Sequence, residues 1–62
     1  MNVIYRVHGA GGFYMETQSQ TRAFSVARQE AADSGQMVLV SFTWMGRYNM
    51  RRFFPDGSMT SR

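Results

Sequence analysis

Cysteine and lysine are both absent from the 62 residues, and proline and histidine occur once each. Without cysteine the chain has no disulfide framework, no iron–sulfur cluster and no thiolate zinc site. His8, Glu16, Glu30, Asp33 and Asp56 are the only remaining side chains that commonly bind metals. They are few and scattered, so neither a metal nor a cofactor is expected. Long apolar runs are missing too. The longest is Met37 to Val40, far short of the roughly 20 residues that span a bilayer as a helix. Met1 to Arg6 places no basic segment before an apolar stretch, so no signal peptide is expected. Internal repeats, linkers and low-complexity segments are also lacking. Hydrophobic residues make up 44% and aromatics 15%. That is too much apolar surface for a chain kept disordered by lack of it. A chain of this length makes one domain with a thin margin of stability, because it buries only ~60% of the surface its unfolded form exposes.

Charge is informative in kind and in position. All seven basic residues are arginine. A GC-rich genome is one bland source of that bias, but the consequence is the same. Arginine presents a planar fork of donors suited to phosphate, carboxylate and stacked aromatic partners. Residues 1–44 balance Arg6, Arg22 and Arg28 against Glu16, Glu30 and Asp33. Residues 45–62 set Arg47, Arg51, Arg52 and Arg62 against Asp56, so the whole net charge of +3 lies there. Tyr48, Phe53 and Phe54 are interleaved with it.

Five segments are read from the pattern. Asn2 to His8 alternates Val3, Tyr5 and Val7 with Ile4, Arg6 and His8, which predicts a strand. Gly9 to Gly12 is a glycine-rich turn, and Phe13 to Thr17 a second strand completing a hairpin. Ser19 to Ser34 places Ala23, Phe24, Ala27 and Ala31 on one helical stripe. Ser19 or Thr21 is its N-cap and Gly35 its C-terminal stop. Phe24 is expected to be its main anchor. Gln36 to Trp44 is the strongest strand. Met45-Gly46-Arg47 is a turn, and Tyr48 to Phe54 is the last strand, stopped by Pro55-Asp56-Gly57. Residues 58–62 are expected to be a frayed, flexible tail after a single domain spanning 1–57.

The expected class is α+β in the order β-β-α-β-β: an antiparallel four-stranded sheet with one helix packed on one face. Val3, Tyr5, Val7, Phe24, Ala27, Ala31, Val38, Val40 and Phe42 form the expected core. The open face would carry Ile4, Arg6, His8, Leu39, Ser41, Thr43 and Arg51, or Arg52 if the register differs.

No catalytic set emerges. His8-Gly9-Ala10-Gly11-Gly12 has the look of an esterase oxyanion loop, but that device needs a serine elbow on a large α/β sheet. The same glycines open a strand, not the helix N-terminus a phosphate loop requires. His8 lacks an assigned partner, although Glu16 is within reach across the hairpin. The protein is therefore expected not to be an enzyme. Arg47, Arg51 and Arg52 with Tyr48, Phe53 and Phe54 form the best functional cluster. Arg6 and Trp44 join all of these but Phe54 in the expected binding surface. Guanidinium groups meet phosphate and rings meet bases. The competing reading is a charged edge strand that blocks aggregation. An acidic protein partner is a third, since arginine and aromatics anchor interfaces. Trp44, Met45 and Met59 have little to pack on in a lone monomer, which points to an interface or a homodimer.

In layout, residues 2–57 resemble small proteins encoded by phages and plasmids. The first hairpin ends in Glu16-Thr17, a Ser/Thr-capped helix carries Ala23, Ala27 and Ala31, and a strong hairpin follows. Among these they are similar to small anti-CRISPR proteins that bind type I surveillance complexes. Departures are Arg22 where a capping-box Glu would stand, and the lack of lysine. The resemblance implies a non-enzymatic inhibitor or adaptor in the cytoplasm of a bacterial host. Such a protein would bind a protein–nucleic-acid machine through a basic sheet surface. The alternative is a small module that binds DNA or RNA directly.

Overall fold

In the computed structural model, which describes residues 3–61, five strands and one α-helix follow one another, with a short 3-10 turn at Ala10–Gly12 between the first two strands. The strands and helix are β1 (Tyr5–His8), β2 (Tyr14–Thr17), α1 (Gln20–Ser34), β3 (Val38–Trp44), β4 (Arg47–Phe53) and β5 (Met59–Thr60). The expected start of the first strand at Asn2, and the basic residue Arg62, lie outside the described residues.

The strands form one sheet in the order β2-β1-β3-β4-β5, antiparallel throughout. The α+β class with one helix on an antiparallel sheet is as the sequence implies. The strand count is corrected from four to five. Met59 and Thr60, expected in a frayed tail, pair with Phe53 and Arg52. The reason is the turn between them. Asp56 Oδ1 accepts from Ser58 N at 2.9 Å and from Ser58 Oγ at 2.7 Å, while Phe54 N donates to Ser58 O at 2.9 Å. An Asx turn thus sends the chain back along β4. The same bonds hold the Asp56 carboxyl below its ordinary pKa.

The helix forms where capping and periodicity agree. Ser19 Oγ accepts from Arg22 N at 3.2 Å, and Gly35, at φ 70°, sends its N–H back to Ala31 O. Only glycine enters that left-handed region without a steric cost. Ala23, Ala27 and Ala31 are fully buried, and their small side chains let the helix axis approach the sheet closely. Beneath them lie Tyr5, Val7, Val38, Val40 and Phe42.

Phe53 is the largest fully buried side chain, ahead of Val7, Val38 and Val40. Phe24, expected to be the main anchor, is only partly buried; it leans on Phe53 at 5.2 Å and on the edge of Tyr5 at 6.5 Å. A helix of alanines leaves room that a sheet aromatic fills more completely than a helix aromatic at its flank.

Candidate functional site

Met45 and Gly46 alone connect β3 to β4, with Trp44 directly opposite Arg47. Both turn residues have positive φ, 51° and 76°. That is the signature of the tight turn whose twist matches a hairpin. The expected three-residue turn through Arg47 is therefore one residue too long. This turn fixes which side chains share a face. Residues directly opposite each other point to the same side. Phe53, Arg51, Asn49 and Arg47 accordingly join Val38, Val40, Phe42 and Trp44 on the helix side. Arg52, Met50 and Tyr48 join Leu39, Ser41 and Thr43 on the open side. Arg51, expected on the open face, lies on the helix side instead, and Arg52 takes the open side, because the turn is two residues long rather than three.

Along the helix side, burial falls off toward the hairpin end. Val38 and Val40 are fully enclosed and Phe42 is nearly so, whereas Trp44 is 51% exposed. The helix begins at Gln20, whose Oε1 accepts from Tyr5 OH at 3.3 Å. Past that point β3 and β4 run on uncovered. Tyr5, Gln20, Phe42, Trp44 and Arg51 line a cleft there of about 270 Å³. Its floor is aromatic, with the Tyr5 and Phe42 rings 4.8 Å apart. Arg51 lies across it, its guanidinium carbon 5.4 Å from the Phe42 ring centre and its Nη1 donating to Met50 O.

The seven residues singled out from the sequence do not form one surface. Trp44 and Arg51 meet in the cleft, and Arg47 faces Trp44 across the ladder. Arg6, Tyr48 and Arg52 belong to the opposite side of the sheet. Phe53 is withdrawn altogether: it is 1% exposed under the helix, with Arg28 over its ring at 5.6 Å. Its expected contact with a partner gives way to a place in the core. Tyr5 and Phe42 were legible as core residues but not as cleft walls, and Gln20 carried no signal of its own.

The open face is more self-satisfied. Glu16, opposite Arg6 rather than His8, accepts from Tyr14 OH and lies 3.5 Å from Arg6 Nε. The hydrogen bond to Glu16 is the main reason the Tyr14 hydroxyl sits above its ordinary pKa. The His8 ring lies tilted against Tyr14, centroids 5.1 Å apart, and its Nε2 lies 3.4 Å from Ser41 Oγ. That contact does not make a nucleophile. Ser41 is enclosed in the sheet, and Glu16, which would have to orient the imidazole, is engaged elsewhere. Among the described residues, no three His, Asp or Glu side chains come together as a metal site, and no helix is long and apolar enough to cross a membrane.

Among the described residues, unpaired β4 arginines lie on both faces, two on the helix side and one, Arg52, on the open side. Arg6–Glu16 is the sole ion pair among the described residues, so Arg47, Arg51 and Arg52 have no carboxylate within 4.0 Å there. Compared with family models, curated proteins and solved structures, the chain matches none.

Proposed function

We propose that the protein is a non-enzymatic binding module, an inhibitor or adaptor of the mobile-element kind. It docks the helix-side end of its β3–β4 hairpin on a protein–nucleic-acid machine and obstructs the nucleic-acid path. The observation that carries this reading is the hairpin end itself. Trp44 and Met45 are exposed beside Arg47 and Arg51, and neither arginine is neutralised by a described neighbour. Met45 adds support. It is the one non-glycine residue with positive φ among those described, and it is 75% exposed. A strained, water-facing methionine suits a tip kept for contact. Occlusion of a nucleic-acid path requires binding alone, which a single small domain supplies.

The test is capture of partners from bacterial lysate by three proteins: wild type, Arg47→Glu/Arg51→Glu, and Arg6→Glu/Arg52→Glu. The helix-side variant loses a nucleic-acid-handling complex that the open-face variant retains. Equal recovery by all three removes the proposal.

A second reading, direct binding of nucleic acid, is favoured by the cleft, which a half-exposed indole and a guanidinium both line.

A further inference from the structure

We infer that the cleft formed by Tyr5, Gln20, Phe42, Trp44 and Arg51 is a binding site for one nucleotide unit of a single-stranded nucleic acid. The base would lie against Trp44 and the phosphate on Arg51. The inference rests on the second reading above and specifies which atoms perform it.

Three observations converge. The first is size. At about 270 Å³ the cleft falls just below the ~300–1,000 Å³ of sites that enclose whole drug-sized ligands. It suits a single planar ring with its substituent outside. The second is the state of Arg51. Its guanidinium is held in place rather than waving in solvent, resting on Phe42 and bonded to Met50 O, and the residue is half-buried. A guanidinium has five N–H donors. Only one bond is accounted for, and no carboxylate reaches it among the described residues. A positioned cation without an anion is poised for one from outside. The third is the wall. Trp44 is 51% exposed although it shares a face with buried Phe42 two residues earlier. Across the ladder stands exposed Arg47, a second cation on the same side of β4, four residues from Arg51. Gln20, with its Oε1 taken by Tyr5 OH, keeps its amide donors for a base edge.

An acidic peptide would satisfy Arg51 but leave exposed Trp44 with nothing to stack on. A strand of nucleic acid satisfies both, because every base has a π-face and every linkage a phosphate.

Trp44 is the only tryptophan, so its fluorescence reports on this site alone. The experiment titrates the folded protein with a short oligothymidylate, with a polyglutamate peptide and with inorganic phosphate. Fluorescently labelled oligothymidylate, followed by anisotropy, covers variants that lack the indole. Far-UV circular dichroism confirms that each variant is folded. Oligothymidylate should quench Trp44, and polyglutamate and phosphate should not. Trp44→Leu and Arg51→Met should each weaken the oligonucleotide roughly tenfold or more, and Arg52→Met, on the opposite face, less than about twofold. Quenching by polyglutamate equal to that by the oligonucleotide overturns the proposal in favour of an acidic partner. Oligonucleotide binding that survives Trp44→Leu and Arg51→Met but falls with Arg52→Met overturns the cleft while leaving nucleic-acid binding intact. No binding at low salt removes both.

Discussion

Met45 spends stability to stay where it is. A side chain in the left-handed region costs about 1–2 kcal/mol, and Asn-Gly is the sequence this turn favours. Met45→Asn should therefore raise stability by roughly 0.5–1 kcal/mol, seen as a higher urea midpoint, while weakening partner capture. An unchanged midpoint would mean that the turn is not strained. Phe53 makes the opposite case. Phe53→Ala should cost about 3–5 kcal/mol, comparable with the whole stability of so small a domain. The variant should lack a cooperative thermal transition by circular dichroism. The assignment of Phe53 to a partner failed for a definite reason. Alternation showed that Arg51 and Phe53 share a side and that Arg52 takes the other, but not which side faced the helix. A strand's period of two is symmetric to a one-residue slip. The length of the Met45–Gly46 turn breaks the symmetry, and the sequence pattern predicts three residues where the structure has two.

At the scale of elements, local chemistry was legible and pairing across distance was not. Ser19 or Thr21, the alanine stripe and Gly35 bound α1 in the sequence, and the structure takes Ser19 as the cap and Gly35 as the stop. Ser19→Ala should destabilise the protein by ~1 kcal/mol through the orphaned Arg22 N–H, measured by denaturant titration. β5 escaped notice because its two residues carry no periodicity and Pro55-Asp56-Gly57 reads as a stop. The Asx turn makes its pairing depend on pH. The Asp56 carboxyl is held below its ordinary value by Ser58. Its support is therefore complete above about pH 3.9 and is lost as pH falls through the lower folded-state value. Amide exchange should show β5 released from β4 only in acid, with β3–β4 still protected. Asp56→Ala should release it at neutral pH. Persistence of β5 in that variant would assign the turn to backbone bonds alone.

For the whole molecule, segregation of charge was visible in the sequence as a neutral stretch of residues 1–44 and a basic remainder. Folding then divides the basic part between two sides of one sheet. Arg52 goes to the open side, where Glu16 pairs with Arg6, while Arg47 and Arg51 lie together on the helix side with no carboxylate within 4.0 Å among the described residues. The cleft joins Tyr5 to Phe42 and Gln20 to Arg51, contacts set by long-range pairing and therefore invisible to local pattern. If Arg47 and Arg51 carry the phosphate contacts, affinity for a single strand should fall roughly sevenfold between 50 and 200 mM salt. A homodimer through Trp44 and Met45 would cover the same surface. Any concentration-dependent self-association should thus be reversed by oligonucleotide, as read by sedimentation.

The most direct measurement is a two-dimensional ¹H–¹⁵N spectrum recorded while a short oligothymidylate is added. Binding at the hairpin end moves the Trp44 indole N–H together with the amides of Phe42 and Arg51, and leaves Arg6, Leu39 and Arg52 in place. Shifts centred on Arg6, Leu39 and Arg52, with Trp44 unmoved, would assign binding to the open face of the sheet instead.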